Sequence, residues 1–421
     1  MDIFYTIIST FLSLWWLWLP VFLAVLFIEL WTKYLQTKAI KKIKWLLLEI
    51  KIPRDIEKTP RAMEQVFSGL HGILTSVKFL DKYWKGKVQG WFSFEIAGID
   101  GGVYFFIRTP ENFRNLVEAQ IQAQYPNAEI LEVLDYAAPL AGKIPSKTYD
   151  INGVEYILEK ADYYPIRTFL SFEERVKERR LDPMASFLEI LSKLESNENI
   201  FIQYLIKPTG EKDWINEGAE SINKLMGKKT EAKKSLFGNF FDSIYEFTMN
   251  LLKAIAIFPE WGEAKKEEIK ATSQNLSPGG KLVAEAIENK ISKLAFRVCI
   301  RFAYIARRDI FNKANMAAVS GAFKQFNTLN LNAFKSSKRA KTAADQPRII
   351  PFIKNRREFI RKVAFVDRYV NRKMSKNKKD FILNIEELAT IYHYPILVVE
   401  TPTMRRVEAK KSEPPISLPI E

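Results

Sequence analysis

Hydrophobic positions change rhythm along this chain, and the changes mark its elements. Asp2 and Glu29 bracket an uncharged run, Ile3 to Ile28, of 26 residues. That exceeds the ~20 apolar residues needed to cross a hydrocarbon core. A helix of it would be roughly 39 Å long, which implies a tilt. Pro20 lies inside, where a membrane helix tolerates a kink. Trp15, Trp16 and Trp18 crowd one part of the run, and Trp31 and Tyr34 mark its far end like an aromatic belt. A cleaved signal peptide would need a positive first region, a shorter apolar stretch and a small-residue cleavage site, and none is present. The run is therefore expected to be an uncleaved single-pass anchor. Lys33, Lys38, Lys41, Lys42 and Lys44 follow it, and no Lys or Arg precedes it. The positive-inside rule then places the body in the cytoplasm and a short N-terminal tail outside, at the inner (cytoplasmic) membrane.

Beyond residue 44 the rhythm becomes that of an α+β protein. Trp45 to Ile52 reads as a short strand. Thr59-Pro60 reads as a helix start, and Ala62, Met63, Val66, Phe67 and Leu70 continue it at helical spacing. Lys87 to Gly98 alternates Trp91, Ser93 and Glu95 against Phe92, Phe94 and Ile96. With the turn Ile99 to Gly102 and the return strand Val103 to Arg108, it predicts a β-hairpin. Glu111 to Gln124 predicts an amphipathic helix and Ala128 to Asp135 a third strand. A second set of elements follows: strands over Tyr163 to Ser171 and Ile200 to Lys207 with a helix Asp182 to Glu195 between them. Lys281 to Lys293 reads as a short helix. Next come a long strand Ala295 to Arg307, a helix Phe311 to Phe326 and a strand Leu329 to Phe334. The repeated element order predicts two related β-α-β sandwich units. Leu236 to Phe258 reads as an amphipathic helix, either interfacial or packed on its own domain. The expected domains are an anchor at 1–34, a first α+β unit at 35–150 and a second at 151–335 with a helical insertion at 228–280. A basic helix and closing segment at 336–400 and a tail at 401–421 complete the set.

Charge adds a location. The chain of 421 residues carries Lys+Arg 64 against Asp+Glu 49, a net +15. Lys335 to Lys379 holds sixteen Lys or Arg against three acids, a net +13 in 45 residues. Within it Asn355 to Lys373 reads as a helix, with Phe359, Val363, Val366 and Val370 as an apolar stripe. Arg357, Arg361, Arg368 and Arg372 lie off that stripe, so the helix is expected to turn an arginine face outward, with Lys373 beside it. Three readings of this face stay open: a solvated surface, contact with a nucleic-acid backbone, or contact with anionic lipid or an acidic protein. Aromatic residues interleave only weakly in the segment, so no stacking platform is evident there.

Composition and motifs argue against catalysis. One cysteine, Cys299, excludes an intramolecular disulfide framework and a zinc ribbon. His71 and His393 are too far apart in sequence for a local metal box. No G-x-S-x-G turn is present, and Pro278 to Leu282 lacks the glycine spacing and hydroxyl of a phosphate-binding loop. The acid pairs Glu173-Glu174 and Glu386-Glu387 read as surface charge. No catalytic residue, cofactor or metal is expected.

Three stretches share a further likeness: Leu48 to Gly72 (LEIKIPRDIEKTPRAMEQVFSGLHG), Phe92 to Pro126 and Phe381 to Pro395 (FILNIEELATIYHYP). In that order they resemble the membrane-proximal N-terminal region of type IV secretion-like conjugative ATPases of the HerA/coupling-protein kind, as found in small-genome bacteria. The resemblance covers roughly residues 45 to 415. In that family a RecA-like motor follows a segment like Lys410 to Ile420, and with no phosphate-binding loop among these 421 residues no motor is expected here. The resemblance therefore implies an anchor and an α+β accessory region without ATP hydrolysis. It also implies partners: a separate ATPase or secretion-complex subunits, and a homo-oligomer matched to a ring-forming motor. A tethered protein that binds nucleic acid or anionic lipid alone is the other expectation.

Overall fold

The computed structural model describes residues 13–52, 58–76, 81, 83–172, 182–210, 212–226, 277–338, 340–343, 351–374 and 380–395. The insertion and the tail expected at 228–280 and 401–421 lie wholly or almost wholly outside these residues, as do Leu236 to Phe258 and Glu173-Glu174. The described residues of 1–211 and 292–421 form one compact unit, and those of Lys212–Ile291 a second.

The larger unit is built on a single antiparallel sheet. Its strands are β1 (Trp45–Lys51), β2 (Phe92–Ile99), β3 (Gly102–Pro110), β4 (Glu129–Val133), β5 (Tyr149–Leu158), β6 (Glu198–Pro208), β7 (Ala295–Arg307), β8 (Phe334–Ser336) and β9 (Phe381–Asn384). They run in the order β4-β1-β3-β2-β6-β7-β5-β8, with β9 also paired to β7. The β2–β3 hairpin forms as its Asp-Gly turn requires. Ile99 pairs with Gly102, and Asp100 and Gly101 both take positive φ, the two-residue loop that suits strand twist.

Two separate sandwich units do not form. Ser93 to Arg108 of the first expected unit and Ile200 to Lys207 of the second are neighbours, because β2 pairs with β6 along its whole length. The expected boundary at 150/151 falls inside β5. No element was expected over that strand, because Asp150, Asn152, Gly153 and Glu155 interrupt its apolar residues. The strand expected over Tyr163 to Ser171 is instead irregular, with one short 3-10 turn at Phe169–Ser171.

Strand periodicity splits the core between two faces. On one face Phe92, Phe94 and Ile96 join Ile200, Ile202, Phe296, Val298 and Ile300. Against them pack α2 (Arg61–Leu70), α3 (Arg114–Gln124), α4 (Ala185–Ser192), α7 (Lys313–Lys324) and α9 (Ile385–Ile391). The second face is narrower. Ala97, Phe106, Phe201, Ala303 and Ile305 meet Phe365, Val366 and Tyr369 of α8 (Pro351–Val370). The smaller unit pairs α5 (Asp213–Leu225) with α6 (Pro278–Ile291), which pack on each other.

The expected membrane-spanning anchor is overturned. Among the described residues no helix is long and apolar enough to cross a membrane. The N-terminal helix α1 spans Trp15–Lys41. Its uncharged part begins at Trp15 and is cut by Glu29, well short of the ~20 residues a span needs. Lys33, Lys38 and Lys41 fill much of the remainder, and residues 1–12 lie outside the description.

The approach of α8 to the sheet has one steric condition. A Cβ on Gly153 of β5 would stand 2.4 Å from two ring carbons of Phe365, so only glycine fits beneath that ring. Gly153→Val should cost ~1–3 kcal/mol through overpacking. Adding Phe365→Ala should return part of that loss relative to Phe365→Ala alone, and thermal melting followed by circular dichroism checks the coupling.

Candidate functional site

The charged residues of α8 sit over a row of polar side chains that crosses four strands. Glu95 on β2 pairs in register with Gln203 on β6, Gln203 with Arg301 on β7, and Arg301 with Glu155 on β5. All four are buried. Their alternation with core residues places them on the α8 side of the sheet. In the fold, α8 covers this row.

Glu95 is fully buried and accepts from several donors. Arg372 reaches it with Nε at 2.9 Å and Nη2 at 3.1 Å. Ser93 Oγ donates at 2.5 Å, the Tyr136 hydroxyl at 2.7 Å and Gln203 Nε2 at 3.1 Å. Because Tyr136 gives its proton to Glu95, the Tyr369 hydroxyl, 2.6 Å away, donates to Tyr136. Burial by itself would raise the Glu95 pKa. The Arg372 charge and the bonds from Arg372, Ser93 and Tyr136 win, and hold the carboxyl below its usual 4.5. Burial and the nearby Glu95 charge keep the Tyr136 and Tyr369 phenols protonated. Arg372 also binds Asp135, through Nη2 at 2.8 Å and through Nη1.

Arg301 performs the matching task at the other end. Its Nε donates to Glu155 at 2.8 Å. Its two Nη groups reach the Arg368 and Lys373 carbonyls at the end of α8. Gln203 Nε2 takes the Tyr369 carbonyl at 3.3 Å. The last carbonyls of a helix lack partners within it, and a buried guanidinium there also meets the negative end of the helix dipole. Arg368 Nε donates to Glu155 at 3.0 Å. Three carboxylates thus face three guanidinium groups.

These positions correct the expected arginine face. Arg372 is wholly buried and Arg368 half-buried, and both point into the body, where α8 meets carboxylates. Lys373 pairs with Asp367 at 2.7 Å. Arg361 donates to the Ala343 carbonyl at 2.8 Å, and Arg357 is exposed. The apolar stripe is also displaced. Phe365, Val366 and Tyr369 are buried, whereas Phe359 is 55% exposed and Val363 44%. The acid pair Glu386-Glu387 is not surface charge either. Glu387 caps α9 in a capping box with Asn384 and accepts from the Ile166 amide at 2.8 Å, while Glu386 pairs with Lys293 at 2.6 Å.

The residues expected to anchor the chain lie on α1. Trp15, Trp16, Pro20 and Trp31 are exposed, Trp31 stacks on Phe27, and Lys33 pairs with Glu29. Trp18 is in the same helix. Cys299 is buried beside Trp91 and Leu205, and burial pushes its thiol up to about 12, which makes it inert. No group of His, Cys, Asp or Glu among the described residues could hold a metal ion.

A solvent-facing cleft completes the α8 side of the sheet. It has a volume of about 520 Å³ and is lined by Pro145, Ser146, Lys147, Arg308 and Phe359. Its frame is fixed by backbone pairing. Tyr149 and Arg307 are partners across β5 and β7, the Arg308 amide donates to the Thr148 carbonyl at 2.9 Å, and Arg308 Nε reaches the Ser146 carbonyl at 2.9 Å. Asp150 holds Lys362 of α8 at 2.7 Å and Arg308 at 3.3 Å. No sequence window joins Lys147, Arg308 and Phe359, so the cleft was out of reach of motif reading.

A family model described as Domain of unknown function (DUF8128) matches residues 33–406. The chain belongs to that family. The match takes in the whole sheet, the polar row and α8, and begins within α1 at Lys33. No curated protein matches the chain.

Removing Arg372 should leave Glu95 buried without its cation. Arg372→Met is expected to lower stability by ~3–5 kcal/mol. The pair Glu95→Leu/Arg372→Met should lose less than Arg372→Met alone, as urea unfolding would show. The pH dependence has a definite sign. The folded Glu95 pKa lies below the unfolded one, so the unfolded chain takes up this proton first. The stability that Glu95 contributes is complete above about pH 4.5 and is lost as pH falls through the lower folded value. Urea midpoints below that pH should fall more steeply in the native chain than in Glu95→Gln.

Proposed function

We propose that this chain is a non-catalytic accessory component of a DNA-transfer or type IV secretion-like assembly, working with an ATPase motor on a separate chain. The observation that carries this reading is what the larger unit exposes. Its buried charges are consumed by one another, while α1 presents Trp15, Trp16, Phe22, Leu23, Phe27, Leu30 and Trp31 to solvent. A contiguous apolar surface of that kind marks an attachment site. Its second half, with Lys33, Lys38 and Lys41, suits an acidic rim around the apolar face of a neighbouring assembly subunit. The likeness of Leu48 to Gly72 and Phe381 to Pro395 to the membrane-proximal region of secretion-like ATPases supports the same setting.

Crosslinking in the native cells followed by isolation of the full chain is the test. An ATPase or an assembly subunit should be recovered, and Phe27→Asp/Trp31→Asp should abolish its recovery. Recovery of neither would sink the reading and leave a protein that binds nucleic acid or anionic lipid alone. The purified chain should hydrolyse no ATP, and a turnover lost on one polar substitution would end the non-catalytic part.

A further inference from the structure

We infer that the cleft between the turn before β5, the end of β7 and α8 binds single-stranded nucleic acid. Lys147 and Arg308 take backbone phosphates, and a base stacks on the ring of Phe359. The cations and the ring come from three separate parts of the chain and meet only in the fold. Lys147 is exposed, and Arg308 is 49% exposed even though it braces Ser146 and Asp150. Arg356 is exposed one turn before Phe359 and extends the positive rim along α8.

The shape and the chemistry favour this ligand over the alternatives. A strand held without sequence preference needs a positive groove for its backbone and an aromatic face for its bases, and every base has a π-face. Phe359 supplies that face: it is 55% exposed, on a helix whose buried residues lie elsewhere. In a duplex the bases are stacked on each other and could not reach the ring. A bilayer surface offers phosphate headgroups but no flat base on which the Phe359 ring could stack. The frame is also rigid, since the strand pairing of β5 with β7 and the Asp150 bridge hold both walls. A preorganised groove loses less entropy on binding. The inference deepens the proposed role by naming what the accessory component would hold, and it rests on that reading only for its biological setting.

Fluorescence anisotropy of the full chain with labelled oligo-dT of twenty nucleotides tests it, alongside the matching duplex and phosphatidylserine vesicles. Oligo-dT should bind with a steep salt dependence. Phe359→Ala should weaken binding by about tenfold or more, as loss of one stacked base does. Lys147→Glu should weaken it and lower the salt slope by at least ~1. Lys44→Glu is the charge control: Lys44 is exposed and lies just before β1, which four strands separate from β5 in the sheet order. It should change binding much less. Circular dichroism melts of the three variants, each at an exposed side chain, should match the native chain. Absence of oligo-dT binding overturns the inference. So does binding insensitive to Phe359→Ala, duplex binding of equal strength, or binding to vesicles alone. The crosslinking test reads a protein partner through α1, so either proposal can fail while the other stands.

Discussion

The carboxylate of Glu95 has no route to water, and the second face of the sheet depends on how it is neutralised. Arg372 does so from the end of α8, far away in sequence. The bond is costly to arrange. Arg372 has φ +47°, the left-handed region that glycine normally fills at this position. The helix ends there with the Arg372 amide on the Tyr369 carbonyl and the Lys373 amide on the Arg368 carbonyl, the two bonds of a left-handed cap. A non-glycine residue in that conformation costs roughly 1–2 kcal/mol. Stranding a buried carboxylate costs ~3–5 kcal/mol. The ion pair wins, and arginine occupies a glycine position.

From that pair the rest of α8 follows. Its end is fixed by the Arg372 bonds to Glu95 and Asp135, and by Arg301 and Gln203 on its terminal carbonyls. Phe365 then falls over β5, where Gly153 gives it room, and Val366 and Tyr369 fill the gap between them. Lys362 meets Asp150 one turn earlier. Asp150 also restrains Arg308, so the same helix that seals the polar row sets one wall of the cleft and carries Phe359 into it. Local charge pairing and the surface geometry are therefore linked through one rigid element.

Much of the fold was legible because its elements are strongly periodic. The β2–β3 hairpin, β1, α2, α3, β6, β7, α7 and α8 follow from alternation or helical spacing. What failed were inferences that needed tertiary partners. The strand β5 was invisible because Gly153 and Glu155 are suited to α8 and Arg301, not to a strand read alone. Its insertion beside β7 turns two expected units into one sheet. The arginines of α8 were assigned outward because a helical wheel separates apolar from charged residues and cannot foresee a polar row beneath. The span expected at the N-terminus rested on residues 3–28 as one block, and the helix that begins at Trp15 is too short in its apolar part.

The basic segment changes meaning accordingly. A net +13 over 45 residues, with an apolar stripe on its helix, suggested one arginine face turned outward. The fold divides it. Arg368 and Arg372, with Arg301 from β7, cancel Glu155, Glu95 and Asp135, so the C-terminal end of α8 is electrically closed. The first turns keep Lys354, Arg356 and Arg357 exposed. Lys147 and Arg308, which lie outside the segment altogether, join that end through the cleft. Charge density along the sequence does not distinguish the closed end of this helix from the exposed one. The cleft is made by three chain segments, and the buried ion pairs at the other end of α8 fix the helix that forms one of its walls.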